Sequence, residues 1–119
     1  MPAILVVDDE EIILQSFIRI LEKEDLTLFT AQDKKGALEK LENPISLFIC
    51  DVRMPDVDGL ELIKNAKEKN PLLKTILLTG FEDATIREAA EKLHVDLLLT
   101  KPIRDIGGFV QAIHRLLNS

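Results

Sequence analysis

Three carboxylates stand where apolar runs stop. Asp8 and Asp9 follow Ala3–Val7, and Asp51 follows Leu47–Cys50. Another apolar run closes on Thr79, and a fourth is followed by Lys101 and Pro102. A solvated surface offers carboxylates a cheaper home than the end of a buried strand, so charges in these positions usually belong to a site. Side by side, these groups make a small acidic pocket with one ammonium and one hydroxyl. Two like charges ~4 Å apart repel by ~4 kcal/mol at an effective dielectric of about 20. Such a cluster must raise its pKa values or hold a cation. Oxygen donors without a neighbouring His or Cys indicate a hard ion, and one that retains several waters is typically Mg²⁺. The pocket suits a divalent cation and a phosphoryl group.

The elements that must carry these groups alternate between strand and helix. Ala3–Val7 is continuously apolar, as in a strand covered on both faces. Ile13, Phe17, Ile20 and Leu21 then recur at helical spacing, closed by Glu22, Lys23 and Glu24. Leu26–Ala31 reads as an edge strand. Asp33 is the expected N-cap of a helix through Leu38 and Leu41 that ends before Asn43-Pro44. Leu47–Cys50 is a central strand, and the loop after Asp51 carries Pro55. Asp58, with Glu61 three residues on, has the capping-box spacing for a helix that buries Leu60, Ile63 and Ala66 and stops near Asn70-Pro71. Thr75–Thr79 is the fourth strand. Asp83 caps a helix carrying Ile86, Ala89, Ala90 and Leu93, and Asp96–Leu99 is the fifth strand. The last helix places Ile106, Phe109, Val110, Ile113 and Leu117 on one stripe. Gly107 and Gly108 should loosen its first turn, at ~1 kcal/mol each relative to alanine. Strands separated by helices require right-handed parallel crossovers, which predicts a three-layer α/β sandwich of five parallel strands and five helices. With strand order 2-1-3-4-5, the ligand crevice opens beyond the carboxyl ends of strands one and three, where all three carboxylates meet.

The bulk numbers narrow the class. At 119 residues, residues 1–119 are expected to form one domain, and 46% hydrophobic with 30% charged residues argues for a packed core and against disorder. A net charge of -6 disfavours nonspecific binding to nucleic acid or to an acidic membrane surface. No apolar run approaches the ~18 residues that span a bilayer, and no leader-like segment precedes the first strand. The single Cys50 cannot form an internal disulfide, and core packing is its expected role. A cytoplasmic protein is the expectation. His94 and His114 lack spaced partners and read as surface residues. The bland reading of Asp8 and Asp9 is an N-cap pair for the first helix; the presence of Asp51 weighs against it.

Asp8-Asp9, Asp51 with Pro55 and Gly59, Thr79-Gly80 and Lys101-Pro102 together resemble the receiver domain of two-component response regulators, from the first strand to the last helix. Each motif alone is weak; the ordered set at strand ends is specific. The resemblance implies a flavodoxin-like sheet and a phosphorylation-controlled switch. Asp51 would accept a phosphoryl group from the phosphohistidine of a sensor histidine kinase. Asp9 would bind Mg²⁺ directly, Asp8 mainly through a metal-bound water, and the Arg53 backbone carbonyl would complete the shell with Asp51. Lys101 would contact the phosphoryl oxygens, Thr79 would donate its hydroxyl to one, and the peptide before Pro102 would be cis. The output would run through the face of the fourth helix, fifth strand and fifth helix, toward an output domain, a downstream protein or a second copy. The family often carries an aromatic residue three positions before the lysine; Leu98 stands there, with Phe81 the nearest aromatic alternative. Leu98 leaves open a receiver-like interaction module that works without phosphate. An aspartate-nucleophile phosphohydrolase is the other competitor, but it usually needs an acid where Arg53 stands.

Overall fold

The computed structural model describes residues 1–119 as ten alternating elements. They are β1 (Ala3–Val7), α1 (Glu11–Leu21), β2 (Thr27–Ala31), α2 (Lys34–Lys40), β3 (Leu47–Asp51), α3 (Gly59–Lys69), β4 (Lys74–Thr79), α4 (Ala84–Lys92), β5 (Leu97–Thr100) and α5 (Ile106–Leu117). The five strands are all parallel and ordered β2-β1-β3-β4-β5. Fold class and strand order are those expected.

The central strands are apolar at every position because both faces are covered. Their alternation sorts side chains between two cores. Ile4 and Val6, Leu47 and Ile49, and Ile76 and Leu78 face α1 and α5, where they meet Leu14, Phe17, Leu21, Phe109 and Ile113. Leu5 and Val7, Phe48 and Cys50, and Leu77 face the other three helices through Ala37, Leu62, Ile63, Ala66, Ile86 and Ala90. Phe17 and Phe109 meet edge to face with ring centroids 5.5 Å apart, tying α1 to α5. No helix is long and apolar enough to cross a membrane.

Several local expectations change. Strand β2 starts at Thr27 rather than Leu26, and β4 starts one residue early at Lys74. Strand β5 runs Leu97–Thr100 rather than Asp96–Leu99, because the Asp96 carboxylate is taken by the Thr75 N–H at 2.8 Å. In α1 the residue that joins Phe17 and Leu21 in the core is Leu14, whereas Ile13 and Ile20 are only partly covered. In α3 the core takes Leu62 rather than Leu60. Ile106 leaves the predicted α5 stripe and is 51% exposed, while Ala112 joins the core.

Caps account for three of the helix starts the sequence suggested. Asp33 accepts from Gly36 N–H at 2.7 Å, Asp83 from Ile86 N–H at 2.8 Å, and Asp58 from Leu60 N–H at 2.9 Å. The reciprocal Glu61 bond of a capping box is not formed; the Asp58 backbone instead bridges to Arg53 across the loop. A fourth cap was not foreseen. Asp105 accepts from Gly108 N–H at 2.9 Å, and this holds the first turn of α5 helical despite its two glycines. Asp8 and Asp9 are not the cap of α1: Glu10 stands there and makes no side-chain cap bond.

Candidate functional site

The parallel sheet puts every strand's carboxyl end on one edge, and the crossovers leave that edge open between β1 and β3. Val7 pairs with Cys50, so the residues just past them, Asp8 and Asp51, emerge side by side. Thr79 pairs with Thr100, which brings Lys101 to the same rim. A hollow of about 510 Å³ opens there, lined by Asp9, Glu10, Asp51, Arg53, Thr79 and Lys101, with Gly80, Phe81 and Asp83 on its flank. The residues singled out in the sequence thus converge. Asp8 lies beneath them, wholly buried.

Lys101 is the electrostatic centre. Its Nζ donates to Glu10 Oε1 at 2.8 Å and Asp8 Oδ2 at 3.0 Å, and lies 3.4 Å from Asp51 Oδ1. The Lys101–Pro102 peptide is cis. Burial alone would lower the Lys101 ammonium; the hydrogen bonds to Glu10 and Asp8 and the Asp51 and Asp8 charges outweigh it and hold the group above its ordinary range. Asp8 is raised by burial, against the pull of the Glu10 N–H, which donates to its Oδ1 at 2.9 Å, and of Lys101. Burial, then the Asp8 charge, push the Asp51 carboxyl up to about 6, with Lys101 opposing. Cys50, next to Asp51, is wholly buried, and burial together with the Asp51, Asp8 and Asp58 charges pushes its thiol up. A thiol in that state is a poor nucleophile.

The hydroxyl of Thr79 is already committed. It donates to the Phe81 carbonyl at 2.9 Å and accepts the Phe81 N–H at 3.2 Å, folding Gly80 and Phe81 into a tight turn beside the hollow. Phe81 itself is 76% exposed. Gly59 packs against β3 so closely that a Cβ there would sit 1.8 Å from the Asp51 carbonyl oxygen. Its N–H donates to Val52 O at 2.8 Å, fixing the loop that carries Arg53. Leu98 pairs with Leu77 and packs into the core on the α4 side.

The donor set fits a hard divalent cation. Carboxylate oxygens of Asp8, Asp9 and Glu10 lie within 4.8 Å of one another, with no His or Cys among them. Glu10 escaped the sequence reading, although it directly follows the aspartate pair. Its signal was adjacency to that pair; its partner Lys101 lies far along the chain.

Comparison with known proteins decides the lineage. A family model described as the response regulator receiver domain matches residues 4–114. The chain belongs to that family. It is a signalling domain of two-component systems rather than a classical enzyme. The uncharacterized transcriptional regulatory protein YesN of Bacillus subtilis (strain 168) is 38% identical over 106 residues, which is 86% of this receiver and 29% of YesN. The alkaline phosphatase synthesis transcriptional regulatory protein PhoP of the same organism is 33% identical over 115 residues, 94% of this chain and 48% of PhoP. The receiver therefore spans less than half the length of either. A CheY-like receiver domain protein from Methanospirillum hungatei JF-1 superposes with a TM-score of 0.91 at 29% identity, covering 99% of this chain and 94% of that one.

Proposed function

We propose that residues 1–119 form one receiver domain in which Asp51 accepts a phosphoryl group from the phosphohistidine of a sensor histidine kinase. The observation that carries this reading is the placement of Asp51. It is buried at the end of β3, faces the polar hollow, and has an ammonium 3.4 Å from its oxygen. An Asp51 oxygen attacks phosphorus, the phosphorus–nitrogen bond breaks, and its electron pair returns to the donor imidazole. The product is an acyl phosphate. Water later attacks that phosphorus and returns the Asp51 carboxylate and inorganic phosphate.

A carboxylate is a poor nucleophile toward an anionic donor unless positive charge neutralises the transferring oxygens. Lys101 supplies one such charge. Asp8, Asp9, Asp51 and the Arg53 carbonyl are the groups that would hold Mg²⁺, which when bound supplies the rest. Asp9, which faces the hollow, would ligate directly, whereas buried Asp8 would act mainly through a bound water.

By analogy with phosphoserine, the product adds roughly -1.5 to -2 charge units and three acceptor oxygens. Thr79 then has a new acceptor competing with the Phe81 carbonyl. If its hydroxyl turns inward, the turn through Gly80 and Phe81 is released, and the start of α4 moves with it. The output is a population shift of the face made by α4, β5 and α5, limited by the contacts the phosphoryl group makes in each state. That face would act on an output domain, a downstream protein or a second copy. We place the domain in the cytoplasm and assign it no direct contact with nucleic acid.

The decisive experiment is incubation with acetyl phosphate and Mg²⁺ followed by intact-mass analysis. Wild type should gain one base-labile phosphoryl group, and Asp51→Asn none. Leu98 at the usual aromatic position favours one other reading, a module that binds its partner without phosphate. Partner binding unchanged by Asp51→Asn would support that module.

A further inference from the structure

An ammonium has three hydrogens to donate, and Lys101 faces three carboxylates. Glu10 is nearest at 2.8 Å, Asp8 follows at 3.0 Å, and Asp51 stands furthest at 3.4 Å. The Lys101 side chain is only 11% exposed, so water offers it little alternative. A phosphoryl group arriving on Asp51 meets an ammonium that donates to Glu10 and Asp8 and only stands near Asp51, and drawing it closer to the phosphoryl oxygens stretches one of those two bonds. Asp8 cannot give way cheaply. It is wholly buried, and stripping the ammonium from it would leave an unpaired interior charge. Glu10 can: its side chain is 55% exposed and rehydrates on release. Glu10 also stands at the N-cap of α1 without any side-chain cap bond, so free N–H groups of the first helical turn lie close to its released carboxylate.

We propose that Glu10 is a latch on Lys101, holding the ammonium toward the solvent side of the hollow until a phosphoryl group on Asp51 takes it away. The latch rests on the phosphoacceptor reading of Asp51. Glu10 is a positioning residue: it acts through Lys101. It sets a threshold, because the site gains Lys101 for the phosphoryl oxygens only by releasing it from Glu10.

The test uses beryllofluoride, which on a carboxylate oxygen forms a tetrahedral mimic of the acyl phosphate, titrated onto the intact chain at saturating Mg²⁺. Glu10→Gln and Glu10→Ala should each bind it about two- to fivefold more tightly than wild type, with thermal midpoints close to wild type. Initial phosphorylation rates with acetyl phosphate should rise by a similar factor. Glu11→Gln is the charge control. Glu11 is the next residue in the chain, is bonded to Gln15 and Gln32, and does not touch Lys101. It should leave the beryllofluoride affinity unchanged. An equal gain in Glu11→Gln would reduce the effect to the long-range field and overturn the latch. So would an unchanged or weakened affinity in both Glu10 variants. If wild type neither binds beryllofluoride nor gains mass from acetyl phosphate, the phosphoacceptor reading fails and the latch fails with it. Normal wild-type behaviour with unresponsive Glu10 variants removes the latch alone.

Discussion

Asp51 is held in a state it would not choose in water. Its carboxyl is pushed from an ordinary 3.8 up to about 6, so the folded chain binds that proton more tightly than the unfolded chain does. Linkage then gives the sign: the Asp51 contribution to stability is greatest below the unfolded value and is lost as pH rises from about 4 through 6. Buried Asp8, also raised, acts in the same direction. In metal-free buffer the urea midpoint of wild type should therefore fall, relative to Asp51→Asn, across that window. The difference should reach about 1–3 kcal/mol by pH 7, toward the lower end because the site opens to solvent. Millimolar Mg²⁺ should flatten the wild-type curve, and a chelator should restore it. A wild-type-minus-variant difference independent of pH would contradict the electrostatic account. The residues behind this behaviour were readable because each ends an apolar run. Glu10 was not, because its role depends on Lys101 arriving from the far end of the chain, a contact no local pattern announces.

At the scale of elements, the β3–α3 connection is the most constrained part of the site. Gly59 lies so near the Asp51 carbonyl that alanine requires the backbone to move. Gly59→Ala should cost about 1–3 kcal/mol or more by chemical denaturation, and it should slow phosphoryl uptake as well, since the displaced loop carries Arg53. A variant with wild-type stability would mean that the loop is more compliant than its packing implies. The glycine was visible in the sequence as part of a motif, but the close approach that demands it was not. Helix phase was harder to read. In α1, apolar residues fill Ile12, Ile13, Leu14, Phe17, Ile18, Ile20 and Leu21, which leaves the inward face ambiguous, and packing selected Leu14 together with Phe17 and Leu21. Ile106 failed for a different reason. The Asp105 cap fixes where α5 begins, so its first residue points away from the sheet that covers Phe109 and Ile113. Asp105 itself could have been found from its aspartate-x-x-glycine spacing.

Across the whole molecule, stability and chemistry occupy different places. Two cores, one on each face of the sheet, hold the strands, while the reactive groups crowd the carboxyl edge. Phe17 lies in the core beneath α1 and α5 and meets Phe109 edge to face. Phe17→Ala should lose about 3–5 kcal/mol in urea denaturation, yet the fraction still folded should take up phosphate on Asp51 at the wild-type rate. A matching loss of rate would show that the α1–α5 core reaches into the site. This division explains why alternation alone revealed the three layers, whereas the proposed switch, which would depend on Thr79 giving up its bonds to Phe81, left no periodic trace. The sealed thiol at the centre of the sheet has one more consequence. Cys50 adjoins Asp51 in sequence, but it has no solvent path and no tendency to ionise. Peroxide or an alkylating reagent can reach it only when the packing around the sheet opens, so the rate of sulfur modification becomes a clock for that opening, beating one residue away from the proposed phosphoacceptor.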